Sequence, residues 1–436
     1  MQLPDGRRND FHSSLWAVTA NPFPERPRLT EAVDADVAIV GGGFTGLRTG
    51  LELAIAGTRT VVLEAHRTGY GASGRTGGQC NPILRMTPAA AVAALGRPFG
   101  ENLVQATIAS AGDLFQAIAR HGIDCDAVQK GWLQVAHTAA AARELEALRS
   151  AWTAAGADIG LLDRDSCAAW SGSRDYVAGL FHPTAGHVQP LSLARGFASA
   201  FLRHGGELYE DSMVTAVERT GGRWQVRTRH GEVRAANVVI ATNGYTGDLI
   251  PGLRQSILPM VSLLAATAPL NPAQRAEILP RLTTIADTRR AIFYARYDRD
   301  HRLAIGCLGS DPDNPQALGG MSRLRAGAER IFPALKGIAW DYAWGGRIAV
   351  TRDFLPHLHE PAPGLHIGLG FNGRGVAMSS VMGRALAARI LGASAGSLPF
   401  PVTPLKSISY HRLLTAVLPL AGPVLSAADA LDRMRR

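Results

Sequence analysis

The chain has 436 residues, of which 46% are hydrophobic and 19% charged, a composition typical of a well-packed globular protein with two domains. The formal net charge is +9, but the basic residues are scattered instead of forming runs, which argues against a surface for nucleic acid. Residues 1–34 lack the apolar core of a signal peptide, and no uninterrupted apolar run reaches about 18 residues. These observations predict a cytoplasmic protein without a membrane span.

The cysteines and histidines give no metal-binding signal. Four cysteines show neither C-x-x-C pairing nor zinc-site spacing and are predicted to be reduced thiols: Cys80, Cys125, Cys167 and Cys307. His357 and His359 share one face of a predicted strand, but no third ligand accompanies them in the sequence. We therefore predict that the protein holds no metal.

The first chemical signal is a glycine-rich turn between a strand and a helix. Val37–Val40 predicts a buried parallel strand, and Thr45–Ala56 can form a helix. Between them, the G-x-G-x-x-G pattern is formed by Gly41, Gly43 and Gly46. A second predicted strand, Thr60–Leu63, is followed by Glu64, about 20 residues after the turn. This arrangement predicts a dinucleotide site, in which backbone N–H groups hold a pyrophosphate and Glu64 accepts hydrogen bonds from the adenosine ribose.

Further elements follow in an alternating order. A second glycine-rich loop spans Gly69–Gln79, helices are predicted at Glu101–His121 and Thr138–Ala155, and Ile123–Val135 is predicted to be extended. Strands joined by glycine-containing turns are then predicted at Ser212–Glu218, Arg223–Arg229, Val233–Ala235 and Asn237–Gly244.

The C-terminal half contains a third glycine-rich turn. Residues 250–345 show no regular pattern except a hairpin of Ile292–Tyr297 and Leu303–Cys307. Leu365–Val376 predicts a strand that runs into the third turn, and Ala377–Leu391 a helix whose small residues face a close neighbour. Three glycine-rich turns can approach different parts of one long ligand. FAD fits this better than NAD, because it is long and its isoalloxazine must be enclosed.

We therefore predict an α/β protein with two interleaved domains. A Rossmann-like FAD-binding domain with a parallel sheet is assigned to residues 1–90, 185–250 and 345–400. The inserted stretches, 91–184 and 251–344, are predicted to form an α+β substrate domain on a mainly antiparallel sheet. Residues 401–436 are predicted to be a docked C-terminal segment, because prolines and a glycine interrupt their apolar run.

Six segments carry a resemblance to a known family, in the same order along nearly the whole chain. They are Ser14–Pro22, Gly41–Gly46, Gly71–Gln79, Ala241–Tyr245, Trp344–Arg347 and Gly370–Gly375. Together they resemble the FAD-dependent D-amino-acid oxidase superfamily, which includes glycine and sarcosine oxidases, and in particular its γ-glutamylputrescine oxidoreductase branch. The resemblance implies a flavoprotein that oxidises the C–N bond of an amine or amino acid to an imine by hydride transfer to flavin N5, after which the imine is hydrolysed. Secondary amines and γ-glutamyl-amines are among the implied substrates.

The resemblance also implies which residues contact FAD. The pyrophosphate would be held by Gly41, Gly43, Phe44, Thr45 and Gly46. The ribose would be held by Glu64, with Ala65 beside it. The ribityl chain and flavin would be lined by Ala72, Ser73, Gly74, Gly77, Gly78 and Gln79. The adenine would contact Val214, with Ala241, Thr242 and Asn243 nearby. The pyrimidine side of the flavin would be covered by Gly370, Asn372, Gly373, Arg374, Gly375 and Val376.

Two departures from the family pattern bear on the chemistry. Sarcosine oxidases attach flavin through a cysteine upstream of the last glycine turn, but Trp344–Asp353 contains none, so FAD is predicted to be non-covalent. Those oxidases also place a lysine over the flavin to activate oxygen, and this chain has no lysine between residues 131 and 335. The electron acceptor is therefore either oxygen, used slowly, or another molecule.

Four residues are candidate substrate contacts. Tyr294 and Arg296 alternate within a predicted strand and share one face, where Arg296 could bind a carboxylate with its bidentate guanidinium. The alternatives are core packing for Tyr294 and an exposed edge position for Arg296. Arg347 is placed near the flavin by the resemblance, and its alternative is a structural ion pair. The last candidate is His187, with a structural histidine as the alternative.

Two other functions stay open at this point. An amine-oxidising domain of this superfamily also occurs in bifunctional enzymes that modify tRNA wobble uridines, but this chain has no second nucleotide-binding signature and no clustered basic residues. An electron-transfer flavoprotein subunit is the other alternative. The interpretation that we favour is a metabolic amine or amino-acid oxidoreductase acting on a small molecule.

Overall fold

The computed structural model describes residues 14–434, so residues 1–13, part of the N-terminal stretch considered above, lie outside the described residues. In chain order the helices are α1 (Leu15–Thr19), α2 (Phe44–Ile55), α3 (Pro88–Leu95), α4 (Phe99–Arg120), α5 (Ala139–Ala154), α6 (Arg164–Ser171), α7 (Pro190–Arg203), α8 (Pro272–Glu277), α9 (Gly320–Ile331), α10 (Gly375–Ile390), α11 (His411–Val417) and α12 (Ala421–Met434).

The strands form two large sheets and one short pair. In chain order they are β1 (Ala32–Val40), β2 (Thr60–Leu63), β3 (Gln79–Cys80), β4 (Trp132–Ala136), β5 (Gly160–Leu162), β6 (Ala178–His182), β7 (Gly186–His187), β8 (Glu207–Tyr209), β9 (Val214–Thr220), β10 (Arg223–Thr228), β11 (Glu232–Ile240), β12 (Leu258–Thr267), β13 (Thr284–Asp287), β14 (Tyr294–Tyr297), β15 (Leu303–Leu308), β16 (Trp340–Val350), β17 (His357–Ala362) and β18 (Leu365–Leu369).

The first sheet has the strand order β17-β18-β11-β1-β2-β8, in which β18, β11, β1, β2 and β8 pair in parallel. Strands β9 and β10 extend it by antiparallel pairing of β10 with β11. Along β1, Val37 and Ile39 pack into one hydrophobic core while Ala38 and Val40 pack into another. Successive side chains of a strand point to opposite faces, so burial on both faces explains the continuous apolar run. The predicted parallel sheet is confirmed.

Helices α2 and α10 pack against each other beside this sheet. A Cβ on Gly383 of α10 would lie 2.7 Å from the Cβ of Arg48 and 3.1 Å from the carbonyl oxygen of Thr45. A larger residue would therefore push the two helices apart. The close neighbour that the sequence predicted for the small residues of the last long helix is α2, the helix that begins at the first glycine turn.

The second sheet has the strand order β16-β12-β15-β14-β13-β4-β6-β5, and only β13 and β4 pair in parallel. The predicted antiparallel sheet and its hairpin, β14 and β15, are confirmed. Most of residues 250–345 showed no pattern in the sequence, yet they form β12, β13 and α9 as well. The last six residues of β12 are all buried, so the period of two that would reveal a half-exposed strand is absent. The domain limits themselves stay a prediction.

Within residues 14–434, one stretch, His411–Leu431, is long and apolar enough to cross a membrane. Only 11% of its most apolar window is buried in the protein. A 3₁₀ turn at Leu418–Leu420 separates α11 from α12. The Asp429 carboxylate accepts hydrogen bonds from the backbone N–H groups of Arg290 and Ala291, at 3.2 and 3.0 Å. These contacts favour a segment docked on the protein, and the predicted absence of a membrane span stays a prediction.

Candidate active site

A cavity of about 1250 Å³ lies between the two sheets. It begins at the carboxyl ends of β1, β2 and β11, where Val40, Leu63 and Ile240 line it, and it extends across one face of the second sheet. Carboxyl ends of parallel strands are the usual place for a ligand in such sheets. The volume exceeds the roughly 300–1,000 Å³ of a typical single-ligand pocket. The cavity therefore has room for a cofactor and a substrate.

The nucleotide end of the cavity is built from backbone. Gly43 is the N-cap of α2 and has no side-chain cap, so amide groups of the first helical turn remain available to an anion. Ser73 supports the turn from the neighbouring loop, because its Oγ accepts a hydrogen bond from the Phe44 N–H at 2.9 Å. A Cβ on Gly46 would lie 2.1 Å from the carbonyl oxygen of Gly41, so only glycine allows the helix to start here.

Glu64 lies at the end of β2 and lines the cavity. Its two oxygens accept hydrogen bonds from the Gly42 N–H at 2.7 Å and the His66 N–H at 3.0 Å. Burial raises the pKa of Glu64 to about 6, although these two amides act in the opposite direction. Ala65 and Val214 line the same part of the wall. Glu64 is thus fixed in position with lone pairs left for a ribose.

The second glycine-rich loop connects the cavity wall to the second sheet. Ala72, Ser73, Gly77 and Gln79 line the cavity, whereas Gly74 and Gly78 lie behind the wall. A Cβ on Gly77 would lie 2.7 Å from the Tyr294 ring, so the loop backbone packs directly on that ring. The Gln79 amide donates hydrogen bonds to the carbonyl oxygens of Ile285 and Ala295, at 3.0 and 3.3 Å. This loop therefore sets the spacing between the two sheets.

Two asparagines hold the third glycine-rich turn. Asn243 Oδ1 accepts a hydrogen bond from the Gly370 N–H at 3.0 Å, and Asn372 Oδ1 accepts one from the Thr351 N–H at 2.9 Å. Asn372 also donates to the Gly370 carbonyl oxygen at 2.6 Å. Gly370 lies behind the wall, but several predicted cofactor contacts of this region line the cavity: Ala241, Thr242, Asn243, Asn372, Gly373, Arg374, Gly375 and Val376.

On the second sheet, Tyr294 faces the cavity and its position is fixed from both sides. Its ring lies between Gly77 and Gly306, where a Cβ would come within 2.7 and 2.1 Å of ring atoms. Its hydroxyl shares a hydrogen bond of 2.5 Å with the Ser262 hydroxyl. Burial raises the pKa of Tyr294, so the phenol stays protonated. The structure brings Tyr294 to the cavity as the sequence suggested.

Arg347 lies on the edge strand β16 and lines the cavity. It pairs with Val261, whereas Met260 and Ser262 pair with Ile348 and Gly346. Directly paired residues of antiparallel strands share a face, so the Arg347 side chain leaves β16 on the face opposite Ser262. The guanidinium lies 5.5 Å from the centre of the Tyr245 ring. It has no carboxylate partner within residues 14–434, so the structure does not show the structural ion pair that was the alternative role.

Arg296 does not reach the cavity. Its guanidinium donates to the carbonyl oxygens of Gly77 and Val188, both at 2.7 Å, and of Tyr297 at 3.0 Å. It also lies 4.3 Å from the centre of the Trp16 ring. Burial lowers the pKa of Arg296 to about 10. The sequence suggested either a substrate contact or an exposed edge position for this residue, and the structure shows neither. Arg296 is only 2% exposed, and its guanidinium donates hydrogen bonds to segments that are distant in the chain.

The histidine candidates are also structural. His187 is buried behind the cavity, and burial lowers its pKa well below the ordinary value, so it is neutral. His357 contacts Asp353 at 2.9 Å, and His359 contacts the Thr403 carbonyl oxygen at 2.8 Å. No group of three residues able to hold a metal ion occurs within residues 14–434. The four cysteines are buried and unpaired.

Sequence reasoning missed several side chains of the cavity wall. Ser262, Tyr245 and Arg85 all line it, and Arg374 does so with its side chain as well as its backbone. Tyr245 stood inside one of the matching segments, but nothing in the sequence around Ser262 or Arg85 indicated a site. Their role depends on long-range pairing of strands and loops.

The wall fits FAD. The uncapped helix at Gly43 suits a pyrophosphate, the fixed carboxylate of Glu64 suits a ribose, and the packing of Gly77 on Tyr294 leaves a flat, glycine-lined wall for a ring system. Of the residues predicted to hold the pyrophosphate, Gly41, Gly43, Phe44 and Thr45 line the cavity, and Gly46 lies behind the wall.

Comparisons with known proteins agree with this geometry. Residues 36–389 match the model of the family described as FAD dependent oxidoreductase. The chain is 32% identical to the γ-glutamylputrescine oxidoreductase of Escherichia coli K12 over 390 residues, which cover 87% of this chain and 89% of the relative. It is 31% identical to the probable oxidoreductase OrdL of Haemophilus influenzae over 389 residues, covering 87% and 88%.

The fold is shared with solved flavoenzymes. The glycine oxidase of Geobacillus kaustophilus superposes with a TM-score of 0.71 and 25% identity, over 85% of this chain and 99% of that chain. The chain therefore belongs to the DAO family of FAD-dependent oxidoreductases and is an FAD-binding enzyme of the amine and amino-acid oxidoreductase class.

Proposed function

We propose that the protein oxidises the C–N bond of an amine that lies in an uncharged pocket on the second sheet. The observation that carries this proposal is the set of cavity-lining side chains on the Ser262 face of β12, β14, β15 and β16, all of which are neutral: Met260, Ser262, Tyr294, Leu308 and Ile348. Arg347 also lines the cavity, but its side chain leaves β16 on the opposite face. Bound FAD supplies the hydride acceptor for this oxidation.

The pocket favours the reactive form of the substrate. Its low polarity disfavours an ammonium ion, so it promotes loss of the proton that blocks the nitrogen lone pair. Tyr294 and Ser262 use one hydroxyl proton in their mutual hydrogen bond, which leaves the second proton and further lone pairs for the substrate nitrogen. Because the Tyr294 ring is held between two glycines, these groups are positioned before the substrate arrives.

The same pocket bears on the choice of substrate. Two relatives are named for γ-glutamylputrescine and for glycine. A pocket whose side chains from the second sheet are neutral suits the first type, an amine with no carboxylate on the reacting carbon, because a carboxylate placed against them would lose its hydration without gaining an ion pair from the sheet. We therefore propose an amine substrate over a short α-amino acid.

Anaerobic titration of the purified holoenzyme tests the proposal. We expect amines such as γ-glutamylputrescine to bleach the flavin absorbance, and glycine to bleach it at least tenfold less efficiently. Tyr294→Phe and Ser262→Ala should each slow the bleaching by roughly 10- to 100-fold through loss of positioning. If dithionite bleaches the flavin but no amine or amino acid does, the proposal is wrong.

We propose that FAD is bound without a covalent link. Within residues 14–434, Cys307 is the cysteine that lines the cavity. Burial raises its pKa to about 12, so its thiol stays protonated and unreactive. Acid precipitation should release all the flavin into the supernatant, and a yellow pellet would contradict this.

The electron acceptor follows from the charges of the wall. Lysine is absent from the side chains that line the cavity within residues 14–434. A cation beside the flavin promotes electron transfer to oxygen, so we propose that air reoxidises the reduced enzyme more slowly than substrate reduces it. Stopped-flow measurement of both half-reactions tests this, and reoxidation faster than reduction would contradict it.

A further inference from the structure

Three arginines of the cavity wall, Arg85, Arg347 and Arg374, have no carboxylate partner within residues 14–434, and two of these, Arg85 and Arg374, lie near each other. Arg85 follows β3 and Arg374 directly precedes α10, and both line the cavity. No carboxylate of residues 14–434 pairs with either guanidinium, and Arg374 Nε is buried without a hydrogen-bond partner. Arg85 Nε donates to the Asn372 carbonyl oxygen at 3.0 Å, which leaves its two terminal nitrogens without an acceptor in the described part of the chain. Arg289, a buried arginine of the same wall, is in contrast paired with Asp287 and Asp175.

The pair is electrostatically unfavourable in the absence of an anion. Burial and, to a smaller degree, the charge of Arg85 lower the pKa of Arg374 to about 9. The side chain of Arg85 is exposed to solvent, yet the protein packed around it is enough to lower its pKa as well. Both shifts mean that the protein destabilises the charged guanidinium groups. An anion bound between them would remove this penalty, and a carboxylate matches the planar, bidentate geometry of guanidinium.

The surroundings of Arg374 form a built site. Its guanidinium lies 5.1 Å from the centre of the Trp132 ring on β4, a contact that holds the planar group in place. Gln134 lies two residues further along β4 and therefore on the same face. Gln134 lines the cavity, and its Oε1 is buried without a hydrogen-bond partner. An amide oxygen accepts hydrogen bonds, so this atom suits an N–H or O–H donor of a ligand and not the carboxylate itself.

This end of the cavity is distant from the amine pocket. Within the second sheet, β4 lies two strands from Tyr294 on β14 and four strands from Ser262 on β12. At about 4.8 Å per strand, the separation is roughly 10–20 Å. Lining residues come from every strand between β16 and β4, so one continuous cavity joins the two places. A substrate the size of glycine cannot reach both.

We propose that Arg85 and Arg374 bind a carboxylate at the end of the substrate remote from the amine that is oxidised. The substrate class is then an elongated amino acid, in which a chain of several atoms separates the carboxylate from the reacting amine. This inference rests on the proposed function, because it takes the pocket at Tyr294 and Ser262 as the place of the amine.

Binding to the dithionite-reduced holoenzyme, which has no oxidised flavin to react with the probes, tests the inference. The probes are γ-aminobutyrate, ε-aminocaproate and their longer homologues, each compared with the n-alkylamine of the same length by anaerobic calorimetry. At the best length we expect the amino acid to bind at least tenfold more tightly than the alkylamine. Arg85→Gln and Arg374→Gln should each abolish this preference and change alkylamine binding by less than about twofold.

Matched variants keep the test decisive. Arg347→Gln removes another cavity arginine and should leave the preference unchanged, and Arg374→Lys should restore part of it. Absence of a preference at every length, or a preference lost in Arg347→Gln but kept in Arg374→Gln, overturns the inference. A shift of the flavin potential or a loss of FAD in Arg85→Gln and Arg374→Gln, together with an unchanged preference, also overturns it. In that case the two charges act on the cofactor and not on the substrate. Caproate, which has no amine, separates the two proposals: if it binds wild type and not Arg374→Gln while no amine binds, only the proposed amine pocket fails.

Discussion

The two ends of the cavity are built on opposite principles. The nucleotide end consists of backbone amides and glycines from one continuous segment, Gly41–Glu64, supported by Ser73 and Glu64. The substrate end consists of side chains from strands and loops far apart in the chain, such as Gln134, Ser262 and Tyr294. A backbone site recognises a group that every member of a fold class shares. A side-chain site is free to change its ligand without changing the fold.

The two ends also differ in whether their charged side chains have hydrogen-bond and ion-pair partners. At the nucleotide end the carboxylate of Glu64 has two backbone donors, and the anion-binding groups are neutral amides. At the substrate end two guanidinium groups, Arg85 and Arg374, have no carboxylate partner within residues 14–434, whereas Arg296 just behind the wall donates to three carbonyl oxygens. A satisfied cation stabilises structure, whereas two neighbouring cations without a counter-ion in a cavity wall indicate an anionic ligand.

The largest effect is expected from Gly43→Val. The φ of Gly43 is −95°, so a side chain is compatible with the backbone, and the nearest atom to a new Cβ is Ser73 Oγ at 2.9 Å. The fold should therefore survive, while the space for the pyrophosphate is filled. We expect the purified variant to contain no FAD, as measured by absorbance, with a circular dichroism spectrum like that of wild type.

A second glycine serves as the control for this substitution. Gly112 lies inside α4, and no atom lies within 4 Å of the place that a Cβ would take there. Gly112→Ala should keep full FAD occupancy and raise stability by about 0.5–1 kcal/mol, because alanine favours a helix. Full FAD occupancy in Gly43→Val would show that this turn does not hold the cofactor.

This contrast between a continuous backbone site and a site of distant side chains explains which parts of the fold and of the cavity could be predicted from the sequence. The first turn and Glu64 lie within one segment, so their spacing alone predicts both the strand–turn–helix unit and its ligand. The second sheet was recognised only at its hairpin, because β12 is buried along its last six residues and carries no alternating signal. Arg296 and Tyr294 share a strand face, yet only Tyr294 reaches the cavity. That distinction depends on the Gly77 loop and on Trp16, which are distant in sequence and contribute no local pattern.

Arg296→Met is expected to have the next largest effect. Methionine keeps much of the packing on Trp16 but removes the donors to three carbonyl oxygens. Loss of hydrogen bonds from a buried charged group destabilises by about 3 kcal/mol. The thermal midpoint of the holoenzyme should fall by several degrees, while amine binding per flavin stays within about twofold of wild type.

The matched substitution is Arg347→Met, at an arginine of the same sheet whose guanidinium has no protein acceptor within residues 14–434. It should change the thermal midpoint by about 1 °C or less, since no carbonyl group loses a donor. Equal destabilisation by the two substitutions would mean that Arg296 does not join segments in the way that its contacts indicate.

The smallest effect concerns pH and Glu64. Burial raises the pKa of Glu64 to about 6 from an ordinary value of 4.5, so the folded protein without FAD holds this proton more tightly than the unfolded chain. The stability that this proton provides is complete below about pH 4.5 and is lost as the pH rises to about 6. Ribose hydroxyls donate to the ionised carboxylate and lower its pKa again, so binding of FAD releases the proton in this window. The dissociation constant of FAD should therefore be about tenfold lower at about pH 7.5 than at about pH 5. Glu64→Gln carries no titratable proton and should remove this dependence, and a variant that keeps the full pH dependence would assign it to another group of the cavity wall.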